Sequence, residues 1–245
     1  MREDNRMAHL TGDAKVLYVR DLFSRISNRY DLLNSFMTAR MHYRWKTVTA
    51  NMAAAQIEGR ALDVATGTGD IAFRLARIPG ITHTIGIDFA PPMLAIAHRR
   101  VKFRRTGNPL TFVMGDALAL PMPDGSFNCV TTGFSLRNVA STTKMLQEMH
   151  RVLVIGGRLC ILEATPVEPR GLFRRIIRLY LNKIVSVIGS VLARDREAYT
   201  YLPTSMDQFL KPEELSNEIR NAGFTNVSYR KVGFGTVAIH VAVKA

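Results

Sequence analysis

Cysteine is scarce. Cys129 and Cys160 are the only two, and without Cys-x-x-Cys spacing they supply neither a disulfide framework nor a thiolate zinc site. No stretch reaches the roughly 18 apolar residues that a membrane-spanning helix needs. The opening MREDNRMAHLTGDAK lacks the apolar centre of a secretory signal, so a cytoplasmic protein is expected. Internal repeats and low-complexity tracts are missing too. Acidic residues are the scarcer charge: 20 Asp and Glu against 33 Lys and Arg give a net +13. That excess suits an anionic neighbour, whether nucleic acid, acidic lipid or a charged cofactor, and does not choose among them. The 245 residues are 47% hydrophobic and 22% charged, which excludes a disordered chain and fits one large α/β domain.

The pattern along the chain alternates. From Lys15 to Ala55 the apolar residues Val16, Val19, Phe23, Ile26, Tyr30 and Leu33 recur at helical spacing. β-type runs follow at 60–65, 82–88, 110–116, 127–134 and 158–164, with amphipathic stretches between them. One of these begins at Pro91-Pro92; another starts near Ser141 and is expected to stop at Gly156-Gly157. Strands alternating with helices predict a doubly wound, mostly parallel sheet. After EELSNEIRNAG, two β-rich runs meet at Gly233-Phe234-Gly235, which reads as a hairpin with one antiparallel strand in the edge region, the seventh strand in all.

The first strand runs into Asp63-Val-Ala-Thr-Gly67-Thr-Gly69-Asp70-Ile-Ala72, and Asp88 ends the second. Gly67-x-Gly69-x-x-Ala72 satisfies the dinucleotide fingerprint, in which glycines admit a ligand to the backbone and the later acid binds ribose hydroxyls. A nicotinamide cofactor would set a pyrophosphate at this turn, where Asp63 and Asp70 would repel it. A ligand carrying sulfonium and ammonium groups suits the two carboxylates better, and S-adenosylmethionine has both. The plainer alternative for Asp70 is a helix cap. Asp116-Ala117 ends strand three at the same sheet edge and is expected to meet the adenine.

Three segments carry a resemblance to a known family: Tyr30-Asp31-x-x-Asn34-x-x-x-Thr38-x-x-x-His42-x-x-Trp45-Lys46; Phe134-Ser-Leu136-Arg137-Asn138-Val139 with Glu148-x-x-Arg151 and Gly156-Gly157; and Ala198-Tyr199-x-Tyr201-Leu202-x-x-Ser205 with Ala222-Gly223-Phe224. On these the chain resembles the ubiquinone/menaquinone biosynthesis C-methyltransferases, within the class I S-adenosylmethionine-dependent methyltransferases. The resemblance implies a Rossmann-like α/β fold and C-methylation of a polyprenylated quinol ring, demethylmenaquinol or its benzoquinol relative. It implies cofactor contacts at Thr68, Asp88, Asp116, Ala117 and Gly133, beside the Asp63, Gly67 and Gly69 read from the turn itself; no metal is expected. Thr38 stands where the family commonly has Ser, Gly133 where it often has Ser, and Val154-Ile155 where it has Lys-Pro; none removes a cofactor group.

For the chemistry, Arg137 offers a fixed cationic fork and Asn138 both donates and accepts, so the two are expected to hold the ring hydroxyls. The plainer alternatives are a salt bridge for Arg137 and a helix cap for Asn138, although Ser141 can serve as that cap. His42 is a candidate general base, Tyr30, Asp31 and Asn34 are candidate substrate contacts, and Trp45 reads as a packing anchor. The expected division is a helical lid over 15–55, a cofactor-binding core over 60–165, a helical substrate- or membrane-facing insertion over 166–210, and a C-terminal helix and hairpin over 211–245. Within the insertion, residues 170–193 combine Arg170, Arg174, Arg175, Arg178 and Lys183 with an apolar face, suited equally to lipid at the inner face of a membrane or to protein, including a homodimer partner. His98-Arg99-Arg100-Val-Lys102-Phe-Arg104-Arg105 reads as a solvated helix end. No nucleic-acid partner is expected. The rival functions are an RNA or other small-molecule methyltransferase, a non-catalytic S-adenosylmethionine-binding accessory protein and, more distantly, a nicotinamide dehydrogenase.

Overall fold

The computed structural model describes residues 12–103, 105–166, 179, 201 and 204–245. Its strands are β1 (Gly59–Val64), β2 (Ile81–Asp88), β3 (Leu110–Met114), β4 (Phe127–Gly133), β5 (Leu153–Ala164), β6 (Phe224–Val232) and β7 (Val237–Lys244). Its longer helices are α1 (Gly12–Met37), α2 (Met41–Ala54), α3 (Asp70–Leu75), α4 (Pro91–Phe103), α5 (Thr142–Val152) and α6 (Pro212–Asn221). The strands make one sheet in the order β3-β2-β1-β4-β5-β7-β6. β1 to β5 pair in parallel, and β7 is antiparallel to both β5 and β6. The antiparallel strand therefore lies inside the sheet, and β6 forms the edge.

Alternation along the strands feeds two apolar layers. Leu159 and Ile161 of β5, with Leu62 and Val64 of β1, pack on Met145, Leu146, Met149 and Val152 of α5 and Leu215 and Ile219 of α6. Cys160 and Leu162 face the other way, with Ala61, Ile71, Leu75, Trp45, Ala50 and Ala53. Each such Leu or Ile withdrawn from water contributes roughly 1.5–3 kcal/mol. Sheet order reverses between β1 and β4, so a crevice opens beyond their carboxyl ends, where α/β sheets hold ligands.

Three expectations change. The helix read to Gly156-Gly157 ends at Val152, and Leu153 already pairs with Phe127 in the sheet. β5 then bulges before Arg158 pairs with Cys129. Gly156 takes φ +77°, and a Cβ on Gly157 would lie 2.7 Å from Val154 O, so the glycines serve the bulge, not a helix stop. The helical stretch 15–55 divides at Thr38–Arg40, where Ala39 and Arg40 take φ +46° and +64°. Thr38 Oγ1 donates to Asn34 O at 2.6 Å and accepts from His42 N at 3.3 Å, stitching the two helix ends across the break. Finally, Arg100 in the basic run is turned inward, as described below. Of residues 170–193 only Leu179 is described, so that amphipathic segment lies outside the described residues. Among the described residues no helix is long and apolar enough to cross a membrane.

Candidate functional site

β1 ends in a tight turn because residues 65–69 alternate into the left-handed region: Ala65 has φ +53°, Gly67 +58° and Gly69 +86°. At Gly67 a Cβ would meet nothing within 4 Å, so its backbone faces open space, whereas at Gly69 a Cβ would strike the Phe112 ring at 2.5 Å. Gly67 N–H donates to Asp88 Oδ2 at 2.7 Å, and Ala90 N–H donates to Asp88 Oδ1 at 2.9 Å. Burial pushes the Asp88 carboxyl above its ordinary range against the pull of these backbone donors. Leu118 N–H fixes Asp116 Oδ1 at 2.9 Å. Gly67, Asp88, Asp116, Ala117 and Gly133 together line a cleft, roofed by Val19 and Phe23 of α1.

The two carboxylates that flank the glycines are both engaged by protein. Asp63 accepts from Thr66 Oγ1 at 2.6 Å, Thr131 Oγ1 at 2.7 Å and Ala72 N at 3.2 Å. Burial nevertheless pushes it up to about 6. Asp70 does not cap α3, whose N-cap Gly69 has no side-chain bond. It pairs with Lys46 Nζ at 2.9 Å and Arg100 Nη2 at 3.1 Å. Burial alone would raise it; Lys46 and Arg100 reverse that and hold it down at about 2. The turn is thus not a free negative field, which corrects the electrostatic reading of the sequence. Arg100 reaches it from the last turns of α4, donating also to Thr68 O at 2.8 Å and lying 3.3 Å from Asp31 Oδ2. Asp31 in turn accepts from Thr68 Oγ1 at 3.0 Å, so the glycine loop is tied to α1. Thr68 and Asp63 border a small recess beside the main cleft, along with Lys46.

After β4 the chain makes a second strained turn. Phe134 sits at φ +59°, held by its N–H to Leu162 O at 2.7 Å and by Asn138 Nδ2 donating to its carbonyl at 3.1 Å. A non-glycine residue in that region costs about 1–3 kcal/mol and marks a functional turn. Phe134 is the wall between the first cleft and a second, roomier cavity. The second cavity is lined by Met37, Met41, Trp45, Met206 and Val237, with Asn34, His42 and Arg137 as polar members.

In that cavity polar atoms are left over. Asn34 Nδ2, His42 Nε2 and Arg137 Nε are buried without a hydrogen-bond partner among the described residues, as is Oε2 of Glu163, the ion-pair partner of Arg137. His42 Nδ1 lies 2.8 Å from Thr38 Oγ1. Since the Thr38 hydroxyl spends its one proton on Asn34 O, Nδ1 carries the imidazole hydrogen and Nε2 presents a lone pair. Burial first, and Lys46 second, lower His42 to about 4, so it is neutral at pH 7. Arg137 Nη1 donates to Glu163 Oε1 in a buried ion pair. Asn138 is spanned between Phe134 O and Tyr201, whose hydroxyl donates to Asn138 Oδ1 at 3.1 Å. Ser141, not Asn138, caps α5, by accepting from Lys144 N.

The structure therefore brings Gly67, Asp88, Asp116, Ala117, Gly133 and Asn138 to one cleft, Asn34, His42 and Arg137 to its neighbour, and Asp31 to the tie between loop and α1. The Tyr30 side chain lies outside the described residues. Glu163, Tyr201, Lys46 and Arg100 were assigned no role from sequence. Glu163 carried the same signal that marked Asp63, a lone acid in an apolar strand. Among the described residues no group of three or more His, Cys, Asp or Glu could hold a metal.

Comparison with known proteins supplies the family. The demethylmenaquinone methyltransferase of Thermus thermophilus is 44% identical over 90% of this chain and 98% of its own. The ubiquinone/menaquinone biosynthesis C-methyltransferase of Dinoroseobacter shibae is 36% identical over 93% and 91%. In fold, the chain is similar to the magnesium protoporphyrin IX methyltransferase of Synechocystis, solved with bound S-adenosylhomocysteine, at TM-score 0.64 and 17% identity over 94% and 99%. The sequence pattern of one methyltransferase family matches residues 10–244. The chain belongs to the ubiE/COQ5 methyltransferase family.

Proposed function

We propose that this protein uses S-adenosylmethionine to methylate a ring carbon of a polyprenylated quinol, of the demethylmenaquinol type or its benzoquinol counterpart. The names of its relatives support that chemistry. The observation that carries it is the second cavity: apolar walls for a ring and the start of a prenyl chain, with three polar atoms of lining residues that have no partner among the described residues, for its hydroxyls.

The first cleft fits the cofactor. Asp88 keeps acceptor capacity beyond its backbone donors for a ribose hydroxyl, the bare backbone at Gly67 admits close approach, and Phe89, Met93 and Leu118 offer an apolar bed for adenine beside Asp116. The bound cofactor would supply an electrophilic methyl group on a positively charged sulfur. The chain's own residues do the rest. Arg137 directs Nε at a ring oxygen and stabilises negative charge growing there, where a fixed cation in a dry site acts most strongly. His42 Nε2 accepts the proton that the ring carbon loses. Asn138, gripped by Phe134 O and Tyr201, fixes the wall between the two chambers and so sets how ring and cofactor face one another. The lid side of the cleft is tied by Asp31 to Thr68 and Arg100.

We also propose work at an anionic membrane surface, supported by the net charge of +13 and a lipid substrate; flotation with anionic vesicles at low salt, lost at high salt, tests it. For the activity, the test is methyl-labelled S-adenosylmethionine with demethylated naphthoquinol and benzoquinol under anaerobic conditions. Label on a ring carbon of either quinol, read by mass, is the expected result. Label in neither, with the cofactor bound, overturns it.

A further inference from the structure

Resting on the quinol reading above, we propose that Glu163 is the group that takes the hydroxyl proton of the substrate. Glu163 is 1% exposed and Arg137 9%, yet they meet through one arm only. Arg137 Nη1 and Ala164 N–H, the latter at 2.8 Å, both donate to Oε1. That saturates Oε1 and leaves Oε2 and Arg137 Nε buried without partners among the described residues. Each idle buried group costs on the order of 1–3 kcal/mol, and a two-armed fork would have satisfied both. The idle pair is one acceptor and one donor. A hydroxyl answers both, accepting from Arg137 Nε and donating to Glu163 Oε2; an ether or a carbonyl answers only one.

Charge decides where the proton goes. When the O–H bond breaks, its proton forms Oε2–H and the electron pair stays on the substrate oxygen beside Arg137. The Arg137 pair then still balances one cation against one anion, with the anion moved from Glu163 to the ring. Passing the same proton to His42 would create a second buried cation beside Lys46, Arg74 and Arg40, opposed by Asp70 alone, and would use up the lone pair that later takes the ring-carbon proton. Tyr201 is no acceptor: burial pushes its phenol up to about 12, and it donates to Asn138. Arg137 and Tyr201 both act on Glu163; on β7 it pairs with Ala238. Once the ring has lost its own proton, Oε2–H returns the borrowed one to the oxygen.

The test has two arms. Glu163→Gln keeps shape and loses the base. Its kcat should fall by about 100-fold or more at neutral pH and recover roughly tenfold per pH unit as the quinol ionises unaided, while S-adenosylhomocysteine raises its melting temperature as in the wild type. A loss equal at every pH overturns the assignment. The second arm uses unaltered protein and needs no turnover: an infrared difference spectrum on binding a hydroxynaphthalene should gain a protonated-carboxyl band, missing with the O-methylated analogue. If the carboxylate band stays unchanged, Glu163 is not the acceptor, even where the Gln variant fails to fold. A wild type that methylates neither quinol would sink the function and leave this second arm still readable.

Discussion

The two chambers either side of Phe134 are finished to different degrees. In and beside the cofactor cleft the acids are already bonded by backbone and hydroxyl donors: in the cleft Asp88 by Gly67 and Ala90 and Asp116 by Leu118, in the adjoining recess Asp63 by Thr66, Thr131 and Ala72. In the neighbouring cavity Asn34, His42 and Arg137 each keep a buried atom with no partner among the described residues. The first chamber is shaped in advance by short-range turns. The second has its polar set completed by what binds, which is the arrangement expected where charge develops during reaction.

The difference is best broken at Arg137. Arg137→Ala should lower turnover by about 100-fold or more, with S-adenosylhomocysteine affinity held within about threefold; kinetics and calorimetry on one preparation check both. The same change strands Glu163, costing about 3–5 kcal/mol of stability, readable in urea unfolding. The mirror experiment is Asp88→Ala, which should weaken cofactor binding by about 10–100-fold through lost charge-assisted bonds. Quinol-analogue affinity, measured separately, should hold.

His42 gives a smaller, pH-dependent effect. Its folded value near 4 lies below the ordinary 6.5, so the unfolded chain takes up the extra proton first, and stability falls as pH drops through that window. Asp63, raised to about 6 from 3.8, opposes it, since there the folded chain holds the proton and acid favours it. Denaturant titrations of wild type against His42→Gln cancel the Asp63 contribution. Between pH 7 and 4.5 the wild type should lose roughly 1–2 kcal/mol more than the variant. The smallest effect is expected at Asp31→Asn, which weakens the tie from α1 to Thr68 and Arg100. Release of S-adenosylhomocysteine should quicken by about threefold, in keeping with a partly exposed pair, as stopped-flow displacement can measure.

The sheet was legible because strand periodicity, the glycine turn after β1 and the start of α5 at Ser141 are local signals. The break at Ala39 and Arg40 was not: neither glycine nor proline marks it, and two ordinary residues are held left-handed by the Thr38 hydroxyl and the packing of α2 on the sheet. Gly156-Gly157 misled for the converse reason. A glycine pair after a helix usually ends it, but pairing of Leu153 with Phe127 ended this one earlier. Of the site, Asp88, Asp116 and Arg137 could be placed from strand ends. Arg100 and Lys46 could not, because their partner Asp70 is distant in sequence and only the fold brings α2 and the end of α4 to the start of α3.

The two-chamber arrangement is tested most directly by a crystal structure of the protein with S-adenosylhomocysteine and a prenylated naphthol together. Predicted is the nucleoside on Asp88 and Asp116, and the naphthol beyond Phe134 with its hydroxyl within hydrogen-bond reach of Arg137 Nε. A naphthol bound elsewhere, with the Arg137 and His42 cavity left to solvent, would contradict it.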